Sequence, residues 1–252
     1  MLHEDGSRVA AGPLPCVKTI RASVNPFYDT QNKRNRQIPG LQKLFFACPN
    51  LKSFSLTLFG NYGGCVIQMP YHPQTYSFEF GGEEKFPPLE SLSLDGYHMT
   101  GSEWMHWRDK LEWTNLRSLS LGPQIHTDLL DSFTGHANAL RSLTVQAWAG
   151  EGPDHCPELE RFVGSFSTLE ELTIKGHFVS VESLSNHPRL QQLCVHTIEL
   201  PRDNDANRPV FSVNDLAQLD ASCPNLRVLE IDADRRTELV SPAEQPALHL
   251  FY

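Results

Sequence analysis

Residues 223–231, CPNLRVLEI, hold the phrase that decides the fold: Leu226, two variable residues, Leu229, one variable residue and Ile231. The same phrase reads LKSFSL from Leu51, LESLSL from Leu89, LRSLSL from Leu116, LRSLTV from Leu140, LEELTI from Leu169 and LQQLCV from Leu190. A weaker copy, VKTIRA, starts at Val17. In each copy the last two apolar positions are two apart, the period of a strand that buries one face. Self-similarity on this scale marks a solenoid, in which no unit can bury its apolar side without its neighbours.

Between copies the pattern becomes helical. IPGLQKLFFA before Cys48, 101–111, 127–137, 157–166, 180–187 and 213–222 carry apolar residues three and four apart, as in Trp104, Trp107 and Leu111. Several follow Ser, Thr, Asn or Pro, which cap or start helices. From Leu89 to Leu190 successive copies begin 27, 24, 29 and 21 residues apart, the period of leucine-rich repeats. The expected fold is therefore α/β: a leucine-rich-repeat solenoid, a right-handed horseshoe with a parallel sheet on its concave face and helices on its convex face. The other spacings are 34, 38 and 36 residues and imply insertions at 23–38, 59–85 and 197–212, read as surface loops or small hairpins from their Gly, Pro, Asn and Tyr content. The expected organisation is a disordered segment at 1–14, about eight irregular repeats over 15–234 and an irregular tail at 235–252.

Composition narrows the function classes. A net charge of −9 disfavours nucleic acid as a main ligand, since phosphate contacts need a basic face. No long apolar run or signal-like h-region occurs, so a membrane partner is not expected and the expected location is cytoplasmic or nuclear. Three of the six cysteines precede proline, at Cys48, Cys156 and Cys223, which suggests small buried side chains at a helix-to-strand corner. No Cys/His cluster has zinc-ligand spacing along the chain, so neither a metal nor a cofactor is expected.

No catalytic residue is assigned, because Gly-x-Ser-x-Gly, the phosphate-loop motif and His-Glu-x-x-His are all absent. Trp104 and Trp107 read as helix core. The informative positions are those that alternate with the buried ones on each strand. In the middle repeats they are Ser and Thr, and in the last third they are charged. A carpet of small hydroxylated residues keeps an open sheet soluble and leaves room for a partner's segment. The candidate partner contacts lie where strands meet loops: Asp95, Tyr97, Gln146, Trp148, Lys175, His177 and His196. Trp148, in QAWAG, is the leading one, since an exposed aromatic among adaptable polar groups is the composition of a binding hot spot.

Through CPNL, FPPLESLSL, CPELERF and CPNLRVLEI the chain resembles the leucine-rich-repeat region of fungal F-box proteins, over about residues 15–234. The resemblance implies a non-enzymatic protein-binding module that recognises the substrate of a cullin-based ubiquitin ligase, with catalysis on other subunits. An F-box would dock the ligase adaptor, yet only 16 residues precede Val17, too few for that helix bundle. The adaptor is thus an expected partner only if an F-box is encoded upstream. The alternatives are a free-standing scaffold or inhibitor unrelated to ubiquitin, or a truncated gene product. The chain also departs from the family in lacking a regular Asn or Cys after each strand.

Overall fold

The computed structural model describes residues 12–24, 37–58, 78–81, 83–97, 103–122, 127–146, 156–197 and 209–232. Its strands are β1 (Thr19–Val24), β2 (Ser53–Leu58), β3 (Ser91–Asp95), β4 (Ser118–Leu121), β5 (Ser142–Gln146), β6 (Glu171–Lys175), β7 (Gln192–His196) and β8 (Val228–Ile231). Its helices are α1 (Gln37–Ala47), α2 (Glu103–Lys110), α3 (Thr127–Phe133), α4 (Pro157–Gly164), α5 (Val181–Leu184) and α6 (Val213–Ser222). The strands form one all-parallel sheet in sequential order, with α1 between β1 and β2 and α2 to α6 each between successive strands from β3 to β8. This is a parallel α/β repeat architecture.

The repeated phrase sets the register. Phe54 pairs with Leu92, Leu92 with Leu119, Leu119 with Leu143, and the row continues through Leu172 and Leu193 to Leu229. Below this row the backbone repeats as well: the Lys18 carbonyl accepts from the amides of Lys52 at 2.8 Å and Ser53 at 3.0 Å, and Lys52, Glu90, Arg117, Arg141, Glu170 and Gln191 each play the same part for the next strand. Like residues stacked on like residues let each copy bury its apolar side against two neighbours. Leu51, Leu89, Leu116, Leu140, Leu169 and Leu190 are all buried. The last copy differs, because Leu226 is only partly covered and Leu229 is 42% exposed.

The position three residues before each phrase is a corner of the same core. Cys48, Phe86, Trp113, Ala137, Phe166, His187 and Cys223 occupy it, and all are buried. At five of them the carbonyl accepts from the amide of the phrase's first Leu, as Cys48 does from Leu51 at 3.1 Å and His187 from Leu190 at 3.0 Å. Cys48 and Cys223 thus sit at a helix-to-strand corner as expected. Cys156 does not: it is the residue that precedes α4, buried at the helix start with Pro157 behind it.

The insertions need correction at their ends. β1 runs on to Val24 and α1 begins at Gln37, so only 25–36 of the first insertion lie between elements, outside the described residues. The end of the 59–85 insertion is core rather than surface loop. Phe78 is buried, and Phe80 stacks on it at 5.5 Å and meets Phe86 at 4.8 Å. Trp107 closes this cluster edge-on, 5.1 Å from Phe86 and 5.4 Å from Phe80. The physical reason is burial: the rings of Phe78, Phe80 and Phe86 remove large apolar area from water by packing on one another and on Trp107. Trp107 is fully buried and Trp104 packs against the core, as the helical spacing suggests. The 197–212 insertion begins with buried Thr197 and carries buried Phe211 next to its end, where Phe211 meets Phe178 at 4.8 Å.

The segments expected to be irregular, 1–14 and 235–252, lie outside the described residues except for 12–14, where the Leu14 amide donates to the Ala47 carbonyl at 2.6 Å. Among the described residues no helix is long and apolar enough to cross a membrane.

Candidate functional site

Alternation along each strand puts the remaining side chains on the face opposite the core. The register aligns them into rows. The middle row runs Arg21, Ser55, Ser93, Ser120, Thr144, Thr173, Cys194 and Glu230 from β1 to β8. Its serines and threonines are half-buried by the neighbouring strands, while Glu230 is exposed. One row nearer the strand starts, Ser142 donates its hydroxyl to Glu171 at 3.0 Å, linking the hydroxylated part of the face to its charged part.

The row at the strand ends carries four of the seven residues expected to contact a partner. Gln146 is the register partner of Lys175, and Lys175 is the partner of His196. Adjacent strands lie about 4.8 Å apart, so these three side chains occupy a band about 10 Å wide. Asp95 belongs to the same row on β3, two strands from Gln146, and pairs with Thr57. His177 is half-buried just past β6. Trp148 lies outside the described residues.

Tyr97 turns the other way. The chain leaves β3 through Gly96, whose φ of +67° is the left-handed conformation that a residue with a Cβ rarely adopts. A Cβ there would also stand 2.6 Å from the Leu58 carbonyl oxygen. Past this turn the strand's alternation no longer applies, and Tyr97 is buried with its hydroxyl bonded to Glu103. It is therefore part of the core and offers no exposed aromatic to a partner.

The densest set of polar contacts on this face is at β7 and β8. His196 Nδ1 lies 3.1 Å from Asp232 Oδ1, and its Nε2 is 3.9 Å from Glu230 Oε2. Asp232 accepts from the Thr197 amide at 2.7 Å and from the Thr197 hydroxyl at 3.1 Å. Beside them, burial pushes the Cys194 thiol above its ordinary range, helped by its hydrogen bond to the Glu230 carboxylate and opposed by Lys175. Among the described residues, Cys194, His196 and Glu230 each bring one ligand-capable atom within 4.8 Å of the others, so together they could hold a metal. Sequence spacing missed this set, since Glu230 arrives from the next repeat through the parallel register. The signal that could have found it is the phrase alignment itself, which puts LQQLCV and LRVLEI side by side.

No protein-family model matches the chain, and no curated protein matches it.

Proposed function

We propose that the chain is a non-enzymatic protein-binding module of the leucine-rich-repeat horseshoe type, whose open sheet face is the concave surface and receives a segment of a partner protein. The observation that carries this reading is the composition of that face. Small half-buried hydroxyls from Ser55 to Thr173 leave the backbone approachable, and Gln146, Lys175 and His196 stand in adjacent register at its edge. Such a surface suits an extended segment held by polar contacts, with the charged third setting which segment fits.

The CPNL-type phrases support a finer reading, in which the partner is the substrate of an F-box-type ubiquitin ligase receptor and catalysis belongs to other subunits. A free-standing scaffold or inhibitor would use the same face without the ligase. The two separate on whether the native gene product co-purifies with the cullin-ligase adaptor from its own cells.

The binding reading itself is tested with peptides selected against the full chain from a random display library. They are expected to lose at least ~10-fold in affinity on Lys175→Glu or Gln146→Arg, about the effect of one or two hot-spot contacts. Arg161→Glu, at an exposed position of α4, should leave their binding unchanged. Peptides indifferent to both sheet-face changes would refute the proposal.

A further inference from the structure

Cys194 and His196 alternate on β7 and project from the same side of the sheet. Glu230 on β8 is the register partner of Cys194, and the three ligand-capable atoms lie within 4.8 Å of one another. We propose that Cys194, His196 and Glu230 form a binding site for a zinc-class divalent cation, ligated through Sγ, Nε2 and a carboxylate oxygen, with a fourth position open to water or an incoming side chain. This inference stands apart from the protein-binding reading and does not require it.

The donor set selects the ion. A thiolate, an imidazole and one carboxylate suit Zn²⁺ and its borderline-soft neighbours, whereas Mg²⁺ and Ca²⁺ take oxygen ligands. The imidazole is also oriented for the task. Its Nδ1 faces Asp232 Oδ1 at 3.1 Å, which leaves Nε2 directed toward Glu230. A carboxylate holding the far nitrogen of a metal-binding histidine is the usual outer support of zinc sites. Asp232 is itself fixed by both donors of Thr197, so the support is anchored to the backbone at the end of β7.

The geometry asks for a small contraction. Zinc bonds of about 2.0–2.3 Å put tetrahedral donors roughly 3.3–3.8 Å apart, close to the 3.9 Å between His196 and Glu230 and up to about 1 Å less than the 4.8 Å that bounds the set. The Glu230 side chain, 61% exposed, has the freedom to supply it. On binding, the Cys194 thiol gives its proton to solvent and Sγ takes the metal in its place. Lys175, the register partner of His196, is a nearby cation whose charge favours the thiolate form of Cys194.

The test uses the full chain with the two remaining cysteines of the sequence, Cys16 and Cys65, replaced by Ser to remove competing thiols, titrated with Co²⁺ as a spectroscopic stand-in for Zn²⁺. One Co²⁺ per chain should bind with a sulfur-to-cobalt charge-transfer band, and Zn²⁺ should displace it. Cys194→Ser should abolish the band. His196→Ala and Glu230→Gln should weaken Zn²⁺ binding at least ~10-fold, and Asp232→Asn by roughly 10–100-fold. No band, or a band that survives Cys194→Ser, overturns the site. If Cys194→Ser fails to fold, the exposed-side-chain variant Glu230→Gln and the His196→Ala variant decide: unchanged Zn²⁺ affinity in both overturns it as well.

Discussion

The Tyr97 hydroxyl donates to Glu103 Oε1 at 2.8 Å inside the core, tying the turn after β3 to the first residue of α2. The same carboxylate oxygen accepts from Trp107 Nε1 at 3.1 Å, and the Tyr97 oxygen accepts from the Phe78 amide at 2.9 Å. A buried carboxylate is costly unless it is bonded, and the phenol and the indole, both donating to Oε1, offset part of that cost for Glu103. Burial, then the charge of Glu103 and the bond to it, push the Tyr97 phenol far above its ordinary range, so it stays protonated and remains a donor.

Tyr97→Phe should therefore destabilise the chain by about 1–3 kcal/mol, the cost of depriving a buried charged acceptor of one donor. The change reads out as a lower urea midpoint at unchanged m-value. Affinity for sheet-face peptides should not move, since the ring lies within the core. A binding loss without a stability loss would mean that Tyr97 faces the partner after all.

His187 fills the corner position that Cys48 and Cys223 occupy in their repeats, and its Nε2–H donates to the Val163 carbonyl at 3.1 Å. Cys223 does likewise one repeat on, its thiol donating to the Leu184 carbonyl at 3.6 Å. Burial lowers the His187 pKa below 6.5, partly offset by the bond to Val163. Between that lowered value and 6.5 the unfolded chain holds more protons than the folded one, so stability rises with pH across this window and is fully present above it. Denaturant midpoints measured on the two sides of 6.5 should show the drop on the acid side in the wild type and a smaller drop in His187→Cys. Equal acid sensitivity in both would assign the effect to other groups.

Gly96→Ala should cost more than about 1 kcal/mol, because the residue sits at a φ of +67° and its new Cβ would crowd the Leu58 carbonyl. Gly40, in α1 with nothing near its missing Cβ, is the contrast. Gly40→Ala should be neutral or stabilising by up to about 1 kcal/mol, since it gains helix propensity and loses unfolded-state entropy. Thermal melts of the two variants should shift in opposite directions, or at least differ by several degrees.

Phe78→Ala tests whether the segment before β3 is core. Its ring meets Phe54, Phe80, Tyr97 and Trp107 at 5.5–6.1 Å between centroids. Removing it should cost about 3–5 kcal/mol, the range for deleting a buried phenylalanine. A loss under about 1 kcal/mol in a urea titration would return this segment to the surface.

Strands, helices and the inward residues were legible because they rest on local periodicity. A period of two inside each phrase and of three to four between phrases is written in neighbouring residues, and repetition of the phrase implies the register that stacks Leu92 on Leu119 and Leu143. The helix-to-strand corner was also visible in CPNL at Cys48 and Cys223. Its extension to Phe86, Trp113, Phe166 and His187 was not, since those side chains share a place in the repeat but no chemistry.

What the sequence alone determined is thus the order and the inward face of every strand, a property of spacing that each copy restates. Long-range packing sets the rest, where the spacing ends. Tyr97 turns inward because Gly96 reverses the chain and Glu103 waits in α2 to take its hydroxyl. Phe78 enters the core because its ring finds Phe54, Phe80, Tyr97 and Trp107 to pack against. His196 meets Asp232 across 36 residues because parallel pairing sets the end of one repeat beside the end of the next. Such meetings depend on where two chain segments come to rest against each other, and no local pattern records that.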